Sequence, residues 1–229
     1  MRIGIIGGSG PAGSALAARL ASIGYETVIG SRSKYRALEA RDVFIERYPE
    51  LHDLLGYGDN TEAALCDLVV VATPWDSAAT MVKDLSVHLR GKVLVSMANA
   101  LIKVGPEFQP LLPPRGSVAA HVQAAAPECR VVAAFHHLPA NELGRVGEPL
   151  ESDVLICGDD ASAVAEVIDI VDRIPGCRSL DAGQLSNAMA IEAFTAVLLQ
   201  LNVRYRTRVA PKMTGIALPT RATTETDDA

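Results

Sequence analysis

His136 and His137 stand at the end of the apolar run Val131-Val132-Ala133-Ala134-Phe135. An imidazole in that place can hydrogen-bond a ligand, stabilise charge developing on it, or pass a proton. It can equally cap a turn or sit satisfied in a core. We read His136 as the ring that faces a ligand and leave His137 open between the two roles. No Ser-His-Asp or Cys-His arrangement accompanies them, so no activated nucleophile is expected. No Cys/His spacing suits zinc, and no metal site is expected. His52, His88 and His121 fall in helical or loop contexts and read as structural.

Near the start, Gly8-Ser9-Gly10-Pro11-Ala12-Gly13 spells G-x-G-x-x-G between the apolar run Ile3-Gly4-Ile5-Ile6 and an alanine-rich stretch. Gly8 permits a tight turn. Gly10 lets backbone N–H groups approach a pyrophosphate, and Gly13 lets the following helix lie close on the strand. Pro11 suits an early helix position with no N–H to waste. The helix start then offers free N–H groups and a positive dipole end to phosphates. The next strand ends in Gly30-Ser31-Arg32, where a site for NAD carries an acid. A hydroxyl, a guanidinium, and a second one at Arg36 instead suit the 2′-phosphate of NADP(H), with Lys34 adding charge nearby. The alternative is an ordinary solvated, basic first helical turn.

Two more strand ends carry small or polar residues. Thr73-Pro74-Trp75-Asp76 follows Leu68-Val69-Val70-Val71-Ala72. Thr73 sits where ribose or phosphates would pass, and Pro74 halts the strand. Trp75 is either a site residue or a packing residue at the helix entry, and Asp76 reads as a helix cap. Val95-Ser96-Met97 leads to Ala98 and Asn99, small enough to leave room for a flat nicotinamide.

These residues need a scaffold of alternating strands and helices. Nearly continuous Val, Ile and Leu mark strands at 2–7, 27–29, 68–72, 93–96, 131–134 and 154–157, as for parallel strands covered on both faces. Helical patterns fall at 11–23, 34–46, 76–89, 117–126 and 161–173. The alternation means right-handed crossovers and a doubly wound α/β sheet. A proline-bracketed segment, 106–114, and a Gly-, Pro- and charge-rich one, 142–151, read as loops. The stretch from Asn187 to about Arg206 is helical and apolar on more than one stripe, so it should be covered on more than one side. The tail Pro219–Ala229 is polar and reads as disordered.

The chain has 229 residues, 49% of them apolar and 21% charged, enough for a full core without staples. A net charge of −6 argues against general nucleic-acid or membrane-surface binding. No run approaches the ~18 apolar residues of a membrane span, and no leader pattern is visible. Cys66, Cys129, Cys157 and Cys177 are scattered, which fits a reducing cytoplasm better than a disulfide framework.

The glycine turn with Ser31-Arg32, then Thr73-Pro74-Trp75 and Phe135-His136-His137-Leu138-Pro139, resembles one family, the NADPH-dependent reductases of coenzyme F420. Gly158-Asp159-Asp160 and Asp181-Ala182-Gly183-Gln184-Leu185-Ser186-Asn187 resemble that family's later signatures. So does the stretch from Asn202 to Ile216, and the likeness covers residues 1 to about 216. It implies a Rossmann-like, mainly parallel doubly wound sheet over 1–145. A smaller C-terminal part, 146–218, with a helical segment, would close the cofactor cleft, followed by the tail 219–229. It implies a hydride transfer between NADPH and the 5-deazaflavin of F420, carried out by a homodimer. Ser9, Gly10, Pro11 and Ala12 would hold the pyrophosphate, and Ser31, Arg32 and Arg36 the 2′-phosphate. Thr73, Pro74, Ala98 and Asn99 would pass beside the nicotinamide. His136, Pro139 and Ala140 would face the deazaflavin, with Thr214 near the cleft. Ser9 stands where the family commonly has Thr, and Ala100 where it commonly has Pro.

Hydride transfer between two rings asks the protein to stack them roughly 3–3.5 Å apart and to exclude water. The absence of a nucleophile suits that. A backbone N–H or His136 would serve the proton taken up on the pyrimidine side. Arg204, Arg206, Arg208 and Lys212 would either meet the acidic tail of F420 or form a solvated basic helix end. Two other readings share the glycine turn: a reductase of a different acceptor, imine- or metal-reductase-like, and a non-catalytic NADPH sensor.

Overall fold

The protein is described from a computed structural model covering residues 1–216. The segment 219–229 lies outside the described residues. The chain opens with β1 (Arg2–Ile6), whose residues are buried from Ile3 onward, and α1 (Pro11–Ser22). It continues through β2 (Glu26–Ser31), α2 (Lys34–Arg47), β3 (Leu55–Asp59), α3 (Asn60–Ala64) and β4 (Leu68–Val71). Next come α4 (Trp75–Asp84), α5 (Ser86–Leu89), β5 (Val93–Ser96), and a small hairpin of β6 (Leu101–Val104) and β7 (Glu107–Pro110). The remainder is α6 (Val118–Ala125), β8 (Arg130–Ala133), α7 (Ala140–Leu143), β9 (Ser152–Gly158), α8 (Ala161–Val171), β10 (Cys177–Asp181) and α9 (Ala188–Tyr205).

Eight strands form one sheet in the order β10-β9-β8-β5-β4-β1-β2-β3. Alternating strand residues feed two cores. Ile3, Ile5, Val70 and Val95 pack with α1, α2, α7 and α8 on one face. Ile6, Val69, Val71 and Leu94 pack with α3, α4, α5, α6 and α9 on the other. Sequence order reverses between β1 and β4, which are neighbours. The crevice outside their carboxyl ends is therefore the topological switch point, where this architecture binds ligands.

Three departures from expectation have physical causes. The strand at 154–157 was expected parallel, but β9 pairs antiparallel with β8, through Val132↔Gly158 and Ala133↔Cys157. A parallel entry needs a crossover helix that traverses the sheet. The only helix between them, α7, has four residues, about 6 Å of rise, so β9 starts at the edge where β8 ends. The segment 76–89 is two helices rather than one, breaking at Leu85. Part of the 106–114 loop is the strand β7, paired antiparallel to β6 and packed on α9, where Gln200 Oε1 accepts from the Phe108 N–H at 3.3 Å.

Within the described chain α9 is covered along one stripe, Ala188, Ile191, Glu192, Thr195, Ala196 and Leu198. Met189, Val197 and Val203 are exposed. The carboxylate of Glu192 accepts from the Val118 and Ala119 N–H groups at 2.8 and 3.0 Å. Ser117 Oγ accepts from Ala120 at 3.0 Å, so the first three N–H groups of α6 are all satisfied. Residues after 145 supply β9 and β10 to the same sheet as the residues before it.

Candidate active site at the carboxyl edge

The glycine turn follows β1 directly. Its left-handed residue is Gly7, at φ 72°, rather than Gly8. The Gly7 N–H donates to Asn60 Oδ1 at 3.1 Å. Gly8 is required for closeness, since a Cβ there would lie 2.8 Å from the Ile5 carbonyl oxygen. A Cβ on Gly13 would lie 2.8 Å from Gly8 Cα, which is how α1 comes down onto the turn. Gly10 is different. A Cβ there would meet only the Gly7 carbonyl, at 3.9 Å, so chain packing does not require the glycine. The free space lies on the side a ligand would approach. No side chain caps the start of α1, and Pro11 is its first residue. These features fit a bound pyrophosphate.

A groove of about 1010 Å³ opens beside this turn. Ser9, Gly10, Pro11, Ala12, Ser31, Arg32, Arg36, Thr73 and Pro74 all line it, so the structure gathers most of the expected cofactor residues. Ser9 Oγ donates to Ser31 Oγ at 3.1 Å, tying the pyrophosphate turn to the end of β2. Arg32 and Arg36 are exposed, and neither makes an ion pair or side-chain hydrogen bond within the described chain. Lys34 does not join them. It pairs with Glu62 at 2.8 Å and Asp59 at 3.8 Å. Glu39 and Tyr35 also line the groove.

Further along the same edge, polar atoms are buried without partners among the described residues at the ends of three adjacent strands. They are Thr73 Oγ1 after β4, Ser96 Oγ ending β5, and both ring nitrogens of His136 after β8. Buried polar atoms are normally paired, so a run of orphans on one edge points to partners from outside the chain, water or ligand. Burial, with a smaller push from His137, lowers the His136 pKa to about 3, so the ring is neutral. Phe135 precedes it with φ 66°, a conformation a large side chain adopts only under constraint.

His137 has a structural role. Its Nε2 lies 2.7 Å from the Ile191 carbonyl and must carry the proton there. Its ring meets Phe194 edge-on at 5.4 Å. Asn99 is likewise committed to the scaffold. Its Nδ2 donates to the His136 carbonyl at 3.3 Å, and its Oδ1 accepts from Thr195 Oγ1 at 2.9 Å. Ala98 is buried next to it. Trp75 packs against the second core, and Asp76 lies in the first turn of α4 while Pro74 occupies the cap position. Pro139 and Ala140 begin α7.

Thr214 is exposed on the segment 211–216. Arg178 donates to Asp153 at 2.7 and 2.6 Å and to the Met213 carbonyl at 2.5 Å. The β8–β9 register carries Asp153, and with it this segment, to the carboxyl edge of the parallel strands. Of the four basic residues nearby, Arg208 pairs with Glu142 at 3.5 Å and Lys212 with Glu151 at 2.8 Å, so these two are already matched.

The late signatures lie at the opposite edge. Asp160 caps α8 by accepting from Ala163 at 2.8 Å. Asp159 accepts from the Leu185 N–H at 3.0 Å and Asp181 from the Gly183 N–H at 2.8 Å. Asn187 donates to the Ala182 carbonyl at 2.5 Å. Asp159, Asp181 and Asn187 build the turn that launches α9. Asn60 and Thr195, which hold the glycine turn and the Asn99–His136 corner, were not anticipated. Thr195 left one signal, a polar residue inside an apolar helical stripe. Asn60 left none. All four thiols are free, and burial pushes Cys157 and Cys177 up to about 12, far from a reactive thiolate.

Residues 2–100 match the family described as NADP oxidoreductase, coenzyme F420-dependent. The F420-dependent NADP reductase of Methanocaldococcus jannaschii is 36% identical over 214 residues, 91% of this chain and 95% of that protein. That of Methanothermobacter thermautotrophicus is 31% identical over 215 residues, 92% of this chain and 93% of that one. The crystal structure of a candidate F420-dependent NADP-reductase from Arthrobacter sp. FB24 aligns with a TM-score of 0.75 at 26% identity, covering 91% of this chain and 99% of that one. Similarity over nearly the full length to named members, on a scaffold whose carboxyl edge carries an open glycine turn and unpaired polar atoms, leads to one conclusion: the chain belongs to the F420-dependent NADP reductase family.

Proposed function

We propose that the protein is an oxidoreductase that moves a hydride between NADPH and coenzyme F420 across the carboxyl edge of its sheet. The observation that carries this reading is continuity. The open glycine cradle, the two unpartnered guanidinium groups and the orphaned atoms of Thr73, Ser96 and His136 follow one another along adjacent strands. When bound, the nicotinamide and the deazaflavin supply the hydride chemistry. The chain's part is binding, orientation and exclusion of water.

In this reading Ser9 to Ala12 receive the pyrophosphate, and Ser31, Arg32 and Arg36 the 2′-phosphate. Thr73, Pro74 and Ala98 form the floor for the nicotinamide, with Asn99 setting the floor from behind. His136, Pro139, Ala140 and Thr214 border the deazaflavin side. A histidine lowered to about 3 is not a proton reservoir near neutral pH. His136 therefore acts as a neutral hydrogen-bonding group, donating from one nitrogen and accepting at the other. The chain would work as a cytoplasmic homodimer, with the described part of the C-terminal region, 146–216, closing the cleft. The exposed Met189, Val197 and Val203 on α9 are consistent with a second copy covering that helix.

Mixing protein, NADPH and F420 and following the deazaflavin's visible absorbance tests the reading, with bleaching expected. NADPH binding without bleaching would favour a sensor. Turnover of an imine or a chelated metal but not F420 would favour another reductase. A wide preference for NADH would remove the 2′-phosphate assignment. In the same assay His136→Ala should lower kcat roughly tenfold or more while the NADPH Kd changes little. Equal losses in both would place His136 outside the reacting cleft.

A further inference from the structure

Arg19 lies on α1, within the alanine-rich run Ala17-Ala18-Arg19-Leu20-Ala21, and is wholly buried. It makes no ion pair among the described residues. Its Nε donates to the Leu143 carbonyl at 3.0 Å. Its Nη1 donates to Val146 at 3.1 Å and Glu148 at 2.8 Å, and its Nη2 to Glu142 at 2.8 Å and Arg145 at 2.7 Å. A guanidinium has five N–H groups, so every donor is used and every acceptor is a backbone carbonyl of 142–148. Burying a cation without a counter-ion is unfavourable, and here the compensation comes wholly from five carbonyls of one short stretch of backbone, whose path this one side chain therefore fixes.

The segment held by Arg19 starts two residues after Ala140. Its own backbone bonds are short turns, such as Leu143 to Pro139 at 2.9 Å, Gly144 to Ala140 at 3.1 Å and Glu148 to Arg145 at 2.9 Å. Nothing in those turns fixes where the segment sits relative to the dinucleotide groove. The other end of α1 is that groove's cradle. Pro11 and Arg19 are eight residues apart, about 12 Å along one helix. A single rigid helix thus carries the phosphate cradle at one end and a five-point grip on the 142–148 backbone at the other.

We propose that Arg19 is a positioning residue for hydride transfer. It sets the Pro139–Ala140 wall at a fixed distance from the NADP-binding helix, so that the acceptor ring meets the nicotinamide in register. The proposal rests on the reading of Pro139 and Ala140 as the acceptor side.

The test uses Arg19→Met, which keeps the apolar stem, and Arg19→Lys, which keeps the charge and three donors. Both variants should bind NADPH within about twofold of the parent. Their kcat/KM for F420 should fall roughly tenfold or more, as small misplacements do, and the Lys variant should be less affected. Amide exchange should rise in 140–148 and stay unchanged in β1 and the glycine turn. Three results would each overturn the proposal: a folded Met variant with unchanged kcat/KM, NADPH affinity lost in step with F420 turnover, or failure of both variants to fold, which would make the contact a folding requirement. If the parent protein does not reduce F420, the function reading falls separately. The exchange pattern then decides, with raised exchange in 140–148 supporting the grip and unchanged exchange refuting it.

Discussion

Arg32 and Arg36 show how much a single side chain decides here. Both line the groove and lack partners among the described residues, while Lys34, between them in sequence, is held by Glu62 and Asp59. Two free guanidinium groups at the end of β2 suit a phosphate better than a pair of ribose hydroxyls. A charge-assisted hydrogen bond contributes about 1.5–3 kcal/mol, and solvent exposure favours the lower end. Arg36→Ala should therefore raise the KM for NADPH roughly tenfold and leave that for NADH nearly unchanged, as steady-state kinetics with each nucleotide would show. The Ser31-Arg32 pair was legible because its position after a strand fixes its place in space. The roles of His136 and His137 were only partly legible. They are separated by the Ile191 carbonyl, 54 residues downstream, a contact that local pattern cannot announce.

At the scale of elements, the parts easy to read were long and periodic. α1, α2, α8 and the central strands follow apolar spacing closely. β3 was hidden because Leu55-Gly56-Tyr57-Gly58-Asp59 contains two glycines, which usually argue against a strand. The first allows close approach, since a Cβ on Gly56 would lie 3.3 Å from the Thr27 carbonyl. β10 was hidden by its polar Cys-Arg-Ser start, and β7 by its flanking prolines. The join between α6 and α9 carries its own prediction. Burial raises the Glu192 pKa to about 7, against the two N–H bonds that favour its ionised form. Between pH 4.5 and about 7 the folded chain holds a proton there that the unfolded chain has lost. This group's contribution to stability is thus present at low pH and lost as pH rises through about 7. In Glu192→Gln one of the two N–H groups loses its acceptor. Unfolding free energy at pH 5 should fall by about 1–3 kcal/mol, and the gap to the parent should narrow towards pH 7, because the variant lacks the parent's pH dependence between 4.5 and 7. Urea melts across that range would check both.

For the whole molecule, strand–helix alternation foretold two helical layers around a mostly parallel sheet. It did not foretell the reversal at β9, because that depends on the length of the connection after β8 rather than on the composition of β9. The same reversal separates two kinds of information in the chain. The residues from Asp159 to Asn187 are joints of the frame, whereas the groove-lining and orphaned side chains sit on the other rim. A fingerprint built on the former would still recognise a relative that had lost its chemistry. An engineer seeking a new hydride acceptor could redraw the latter while leaving the fingerprint untouched.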